Sequence, residues 1–162
     1  DCLLGVYYTT DGGSNWALTT STPANYLGAQ GWYDNVLAVD PTDANVVYVG
    51  GVQAYKTTDG GASWVSVHNN IHVDYHALAF HNGNVYAGND GGVYKTTDGG
   101  TNWTNLSLNG LVTHQYYKMG SSPNNVNILM AGCQDNGLNQ YSGSNVWTKR
   151  RGGDGEELAG GH

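Results

Sequence analysis

Short apolar runs separated by polar, glycine-rich gaps recur along the whole chain. One stretch reads Val36-Leu37-Ala38-Val39, then Val46-Val47-Tyr48-Val49-Gly50, then Ala54-Tyr55-Lys56, then Trp64-Val65-Ser66-Val67. Each run is too short for a helix and is bounded by Gly, Asn, Asp, Thr or Ser, so each predicts a strand ending in a tight turn. No stretch combines helical periodicity with helix caps. The expectation is an all-β protein.

The runs also repeat as a set. The string TTDGG stands at Thr9–Gly13, Thr57–Gly61 and Thr96–Gly100, and each copy is followed three residues later by Trp16, Trp64 or Trp103. The aspartates Asp11, Asp59 and Asp98 are 48 and 39 residues apart. Similar strands precede each copy: Val6-Tyr7-Tyr8, Ala54-Tyr55-Lys56 and Val93-Tyr94-Lys95. Before the third copy, Ala77-Leu78-Ala79-Phe80 and Asn84-Val85-Tyr86-Ala87-Gly88 match the runs quoted above. One unit is therefore four short strands, with the period of a propeller blade. A fourth, drifted unit keeps Ile128-Leu129-Met130-Ala131 and Trp147, but has Ser142 and Ser144 where the aspartate and second glycine belong.

The spacing places blades near residues 1–20, 31–69, 72–108 and 113–150, with 152–162 resembling the start of another. Closed propellers have ~4–8 blades. About three and a half are present, so the expectation is a partial propeller completed by further chain or by a second chain.

Composition narrows the partners. Charged residues make up 12% of the 162 residues and the net charge is −7, which argues against nucleic acid; Lys149-Arg150-Arg151 is too short to reverse that. No run approaches the ~18 apolar residues of a membrane span. Cys2 and Cys133 match no metal spacing, and separate thiols are expected, with a disulfide as the alternative. Few lysines and a polar, aromatic surface point to a secreted or cell-surface protein; the opening DCLLGVYYTT does not read as a signal peptide, so the expectation is a signal already removed or a chain that begins partway through a longer protein. Asn102-Trp103-Thr104 and Asn105-Leu106-Ser107 fit the glycosylation sequon, but one overlaps the repeated string, so both read as coincidental outside a eukaryotic host.

The pattern Ser/Thr-x-Asp-x-Gly-x-x-Trp resembles the Asp-box, or bacterial neuraminidase repeat. That repeat occurs in β-propellers of sialidases, xyloglucanases, sortilin-type receptors, a photosystem assembly factor and secreted bacterial proteins. Gly88-Asn89-Asp90-Gly91-Gly92 and Gln134-Asp135-Asn136-Gly137 are similar to its secreted bacterial and xyloglucanase-like branch. In the xyloglucanase-like enzymes the catalytic aspartates face one another across two propellers, more than this chain contains. Sialidases need an arginine cluster, whereas Arg150 and Arg151 are the only arginines here.

The box itself reads as a fastening. Asp11, Asp59 and Asp98 can accept hydrogen bonds from their own turn, and Gly13, Gly61 and Gly100 can take φ > 0. Trp16, Trp64 and Trp103 are expected to bury their rings between sheets. A calcium loop needs more oxygen ligands than one carboxylate, so calcium is the minor alternative and no cofactor is expected.

Turns joining strands one to two and three to four share one end of a meander; the other turns share the opposite end. That opposite end gathers Trp32, Tyr33, Asp34, His72, Asp74, His76, Asp90, His114, Gln115, Asp135, Asn136, Asp154 and Glu156. On an extended strand His72 and His76 would lie ~13 Å apart, too far for one zinc at ~2.0–2.2 Å. A hydrogen-bonded His–Asp pair is the expectation, with Asp74 and His76 sharing an ion as the alternative. Asp34, Asp74 and Asp154 are the carboxylates to consider for glycoside hydrolysis, which needs a pair at ~5–5.5 or ~6.5–9.5 Å. The leading expectation is a non-catalytic module binding glycan or protein through this face; the alternative is part of a xyloglucanase-like hydrolase.

Overall fold

The computed structural model describes residues 3–109, 111, 114–144 and 146–155. Cys2, Thr113, Asn145, Glu156 and Gly160-Gly161-His162 lie outside the described residues. Two compact units divide the chain, Asp1–Gly110 and Leu111–His162.

The first unit holds ten strands: β1 (Tyr7–Tyr8), β2 (Ala17–Leu18), β3 (Val36–Val39), β4 (Val47–Gly50), β5 (Ala54–Thr57), β6 (Val65–Ser66), β7 (Tyr75–His81), β8 (Asn84–Asn89), β9 (Gly92–Thr96) and β10 (Thr104–Asn105). The second holds β11 (Tyr116–Ser122), β12 (Asn125–Cys133), β13 (Gly137–Tyr141) and β14 (Thr148–Arg151). Every sheet is an antiparallel meander in chain order: β1-β2, β3-β4-β5-β6, β7-β8-β9-β10 and β11-β12-β13-β14. Among the described residues a single 3-10 turn, Ser107–Asn109, is the only helical element. Local chemistry explains the hairpins. At Asn82-Gly83, φ values of 48° and 73° make the left-handed two-residue turn that joins β7 to β8.

In the first unit the core lies between successive sheets. Tyr48, Ala54, Val67, Ile71, Tyr75, Val85, Ala87 and Tyr94 form one buried cluster. Tyr26, Leu27 and Val49 form another, with Val6, Tyr55 and Trp64 packed against it. Strand β8 shows the period-two logic, burying Val85, Ala87 and Asn89 on one face. Tyr48 meets Phe80 edge-on at 5.5 Å.

The repeated TTDGG turn joins β1 to β2, β5 to β6 and β9 to β10, and the same threonine–aspartate and threonine–glycine bonds recur in each copy. Thr57 Oγ1 donates to Asp59 Oδ1 at 2.7 Å and accepts from the Gly61 amide at 2.9 Å. Asp59 Oδ1 also accepts from the amides of Ala62 and Ser63, both at 2.9 Å. Asp11 accepts from Thr9 and the Asn15 amide, and Asp98 from Thr96 and the Asn102 amide. Side-chain donors to the other carboxylate oxygen, Asn15 Nδ2 on Asp11, Ser63 Oγ on Asp59 and Asn102 Nδ2 on Asp98, act with these to hold Asp11 and Asp98 at about 2, against an ordinary 3.8, and to push Asp59 lower still. The second glycine is required twice over. Gly61 and Gly100 sit at φ 90° and 93°, and a Cβ there would come within 2.7 Å of Thr19 Cβ and Val67 Cβ on the preceding sheet.

The tryptophans divide. Trp64 and Trp103 reach the preceding sheet, donating from Nε1 to the carbonyls of Ser21 (3.1 Å) and Val67 (2.8 Å). Trp16 corrects the expectation of three buried rings: it is 62% exposed and donates to Gly13 of its own turn. The physical reason is that its sheet is the first, with no earlier sheet among the described residues to lean on. In the second unit Trp147 packs beside Tyr116 and Tyr141. Cys133 is a buried free thiol bonded by Asn139 Nδ2 at 3.1 Å.

Two outcomes follow. A carboxyl whose folded pKa lies below its unfolded value stabilises fully above about 3.8 and loses that effect as pH falls through the folded value. Asp59→Ala should therefore lower the thermal midpoint at pH 7, and its deficit against wild type should shrink steadily below pH 4 in melting curves. Gly61→Ala should cost about 1–3 kcal/mol in chemical denaturation, through strain and overpacking against Thr19.

Candidate functional site

At the end of the first unit opposite the TTDGG turns, three loops converge. The first is a tight turn before β3: the Tyr33 and Asp34 amides both donate to the Gln30 carbonyl, at 2.7 and 2.8 Å. It delivers Asp34 with its side chain fully buried. The second loop enters β7 through Asp74, whose φ of 63° bends the chain just before the strand. The third is the β8–β9 turn, which carries Asp90.

His76 is centred among these groups because β7 is irregular there. Tyr75 pairs with Asn89 and Ala77 with Gly88, so His76 is the extra residue of a bulge, a device that re-aims a side chain. Its Nε2 lies 2.7 Å from Asp90 Oδ1 and its Nδ1 3.2 Å from Asp34 Oδ1. The first contact is a hydrogen bond. The second has the proximity without the alignment, and Asp34 Oδ1 is the one buried side-chain oxygen or nitrogen among the described residues left without a hydrogen bond. Gln30 Nε2 bridges the acids, donating to Asp34 Oδ2 at 3.2 Å and Asp74 Oδ1 at 3.1 Å.

Burial, reinforced by the negative charge of Asp74, pushes the Asp34 carboxyl up to about 6, while His76 pulls the other way. Aromatic rings border the cluster. Tyr33 meets the His76 ring edge-on at 5.0 Å, and Trp32 lies 5.4 Å from Tyr33 and is 77% exposed.

Asp34, Asp74, His76, Asp90, Trp32 and Tyr33 thus come together. His72 does not join them through any hydrogen bond among the described residues. Its Nδ1 faces the Val73 carbonyl at 3.2 Å, and its own carbonyl accepts from Asn89. The extended geometry expected for His72–His76 is corrected too, because the backbone turns left-handed at Asp74. The His–Asp pair forms between strands, with Asp90 as the partner of His76. Gln30 carried no signal in the sequence beyond preceding an aspartate by four residues.

The second unit places its own residues together. Asp154 Oδ1 accepts from the Asp135 amide at 2.9 Å, Asn136 bridges Gly153, and the Gln134 amide donates to the Gln115 carbonyl at 3.0 Å. Asp154 is occupied in holding a loop. His114 lies 5.8 Å from the Tyr116 ring.

No protein-family model and no curated protein matches the chain. Among solved structures, the fold is similar to the GH74 enzyme of Niastella koreensis, with a TM-score of 0.51 and 21% identity. That match covers 89% of this chain and 26% of the enzyme. An ancestral GH74 enzyme gives a TM-score of 0.48 and 20% identity over 91% of this chain and 21% of its own. YCF48 bound to D1 peptide gives 0.47 and 19% over 91% and 63%. The chain spans about a quarter of the length of the Niastella enzyme. The likeness is one of fold: this is an all-β protein of the β-propeller class, built from four-stranded antiparallel blades.

Gln30→Ala removes the one donor shared by Asp34 and Asp74. It should cost about 1–3 kcal/mol at pH 8, the usual cost of stranding a hydrogen-bonded charged group, as read by urea denaturation.

Proposed function

We propose that the chain is an Asp-box propeller segment of a secreted or cell-surface protein that binds glycan through the end opposite its TTDGG turns. The observation that carries this reading is the exposed Trp32–Tyr33 platform packed on His76, beside the partly exposed Asp74 and Asp90 carboxyls. Flat rings offer large apolar area with little entropy to lose, which suits the face of a sugar ring. Carboxylates accept hydrogen bonds from hydroxyls, and a rigid scaffold presenting loops at one end is where binding groups concentrate. The repeated aspartates are committed to their own turns and have little left to offer a ligand.

A second reading has one observation in its favour. Asp34 and Asp74 meet through a single amide, and carboxyl pairs at short range are the machinery of glycoside hydrolysis. On this reading the chain contributes part of a glycoside hydrolase.

Titration of β-glucan oligosaccharides into the chain, followed by tryptophan fluorescence, tests the first reading. Trp32→Ala should weaken binding about tenfold or more while Asp59→Ala leaves it unchanged in the folded fraction. Binding indifferent to Trp32, or none to any glycan of the series, would remove it. Release of reducing sugar that disappears in Asp34→Asn or Asp74→Asn would favour the hydrolase instead.

A further inference from the structure

Sheet β1-β2 has two strands where its neighbours have four, and the repeat identifies which two they are. Aligned on Asp11, Asp59 and Asp98, β1 matches β5 and β9, and β2 matches β6 and β10. In the four-stranded sheets the far edge of β5 and β9 is covered by β4 and β8, in one shared register. Val49 and Ala87 stand opposite Tyr55 and Tyr94, while Tyr48 and Tyr86 stand opposite Lys56 and Lys95. The matching residues of β1 are Tyr7 and Tyr8, and among the described residues no strand lies on their far side. Both are half exposed, and such an edge is a template for pairing.

The sheet that follows carries the complementary mark. By register, Leu37 and Val39 of β3 match Leu78 and Phe80 of β7. Leu78 and Phe80 pack onto the core shared with the preceding sheet, Phe80 against the Tyr48 ring. Leu37 and Val39 instead line an open groove with Tyr8, Trp16 and Trp64, and are 52% and 45% exposed. The groove holds about 720 Å³, far more than the water-sized voids of a packed interior. One position in the repeat is thus filled twice, by β4 and β8, and open once. A second copy has no strand to spare for it among the described residues, because β3-β4, β7-β8 and β11-β12 each belong to a four-stranded sheet.

We propose that this groove takes an extended segment of a partner polypeptide, added antiparallel to β1 as a further strand. The two filled positions give its sequence: Val, Tyr, Val or Ala, then Gly, set opposite Thr9, Tyr8, Tyr7 and Val6. Main-chain bonds along the edge supply affinity, and the side chains of alternate residues supply selectivity. The tyrosine lays its ring toward Val39, as Tyr48 does toward Phe80, and pairs across the strands with Tyr8. In the filled sheets Lys56 and Lys95 hold that place over the Tyr48 and Tyr86 rings. The proposal concerns a different partner from the glycan reading and stands apart from it.

Fluorescence anisotropy of a labelled peptide containing the β8 sequence Asn84–Asn89, titrated with the full chain, tests it. The peptide should saturate one site per chain. Ala87→Pro in the peptide should abolish binding, because proline cannot donate to a ladder. Tyr86→Ala in the peptide should weaken it about tenfold or more, through loss of the aromatic contact. In the chain, Val39→Lys should also weaken it, with melting curves confirming that this exposed substitution leaves the fold intact. Absence of binding to the wild type overturns the proposal, as does a proline peptide that binds equally well or binding unchanged in folded Val39→Lys. Sedimentation showing self-association that Val39→Lys removes would give the groove to a second copy and overturn it too.

Discussion

A threonine hydroxyl that accepts from one glycine amide and donates to one aspartate is the fastening on which the blades of the first unit depend. At Thr57 and Thr96 this bond is buried or nearly so, and it sets two consecutive glycines in left-handed conformations. The second glycine can then press against the preceding sheet, on Thr19 or Val67, where no side chain fits. The following tryptophan adds its own bond to that sheet. Turn chemistry that looks local therefore sets the approach of one blade to the next. It also explains why aspartates so conspicuous in the sequence stay outside the candidate site: their lone pairs are already used.

With one end of each meander fixed, the other end is free to vary, and there the loops carry dissimilar residues. Asp34 and Asp74 precede first strands and Asp90 sits between second and third, so antiparallel order alone brings them to the same end. The result is a fully buried acid, a histidine between that acid and a second carboxyl, and an amide shared by the buried acid and a third, under an exposed aromatic pair. Groups of this kind cost stability where they stand, and the packed sheets behind them supply the rigidity that holds them in place.

Much of this was legible in the residues. Repeated strings with matching flanking strands showed the blades, and alternation of turns showed which carboxylates would share an end. What escaped depends on geometry that no residue type announces. The bulge at His76 arises from the pairing of β7 with β8, and the left-handed turn at Asp74 belongs to a residue that could equally have been extended. Gln30 matters only because two loops distant in sequence close on it. Trp16 looked identical to Trp64 and Trp103, yet is exposed because burial needs a neighbouring sheet as well as a ring.

The central claim, that the TTDGG turns are structural fastenings, is tested most directly by native-state hydrogen exchange at their second glycines. Buried and bonded to threonine, the amides of Gly61 and Gly100 should exchange as slowly as those in the middle of β4 and β8, with the exposed Gly13 amide faster. Exchange of Gly61 and Gly100 at the rate of surface loops would contradict the account.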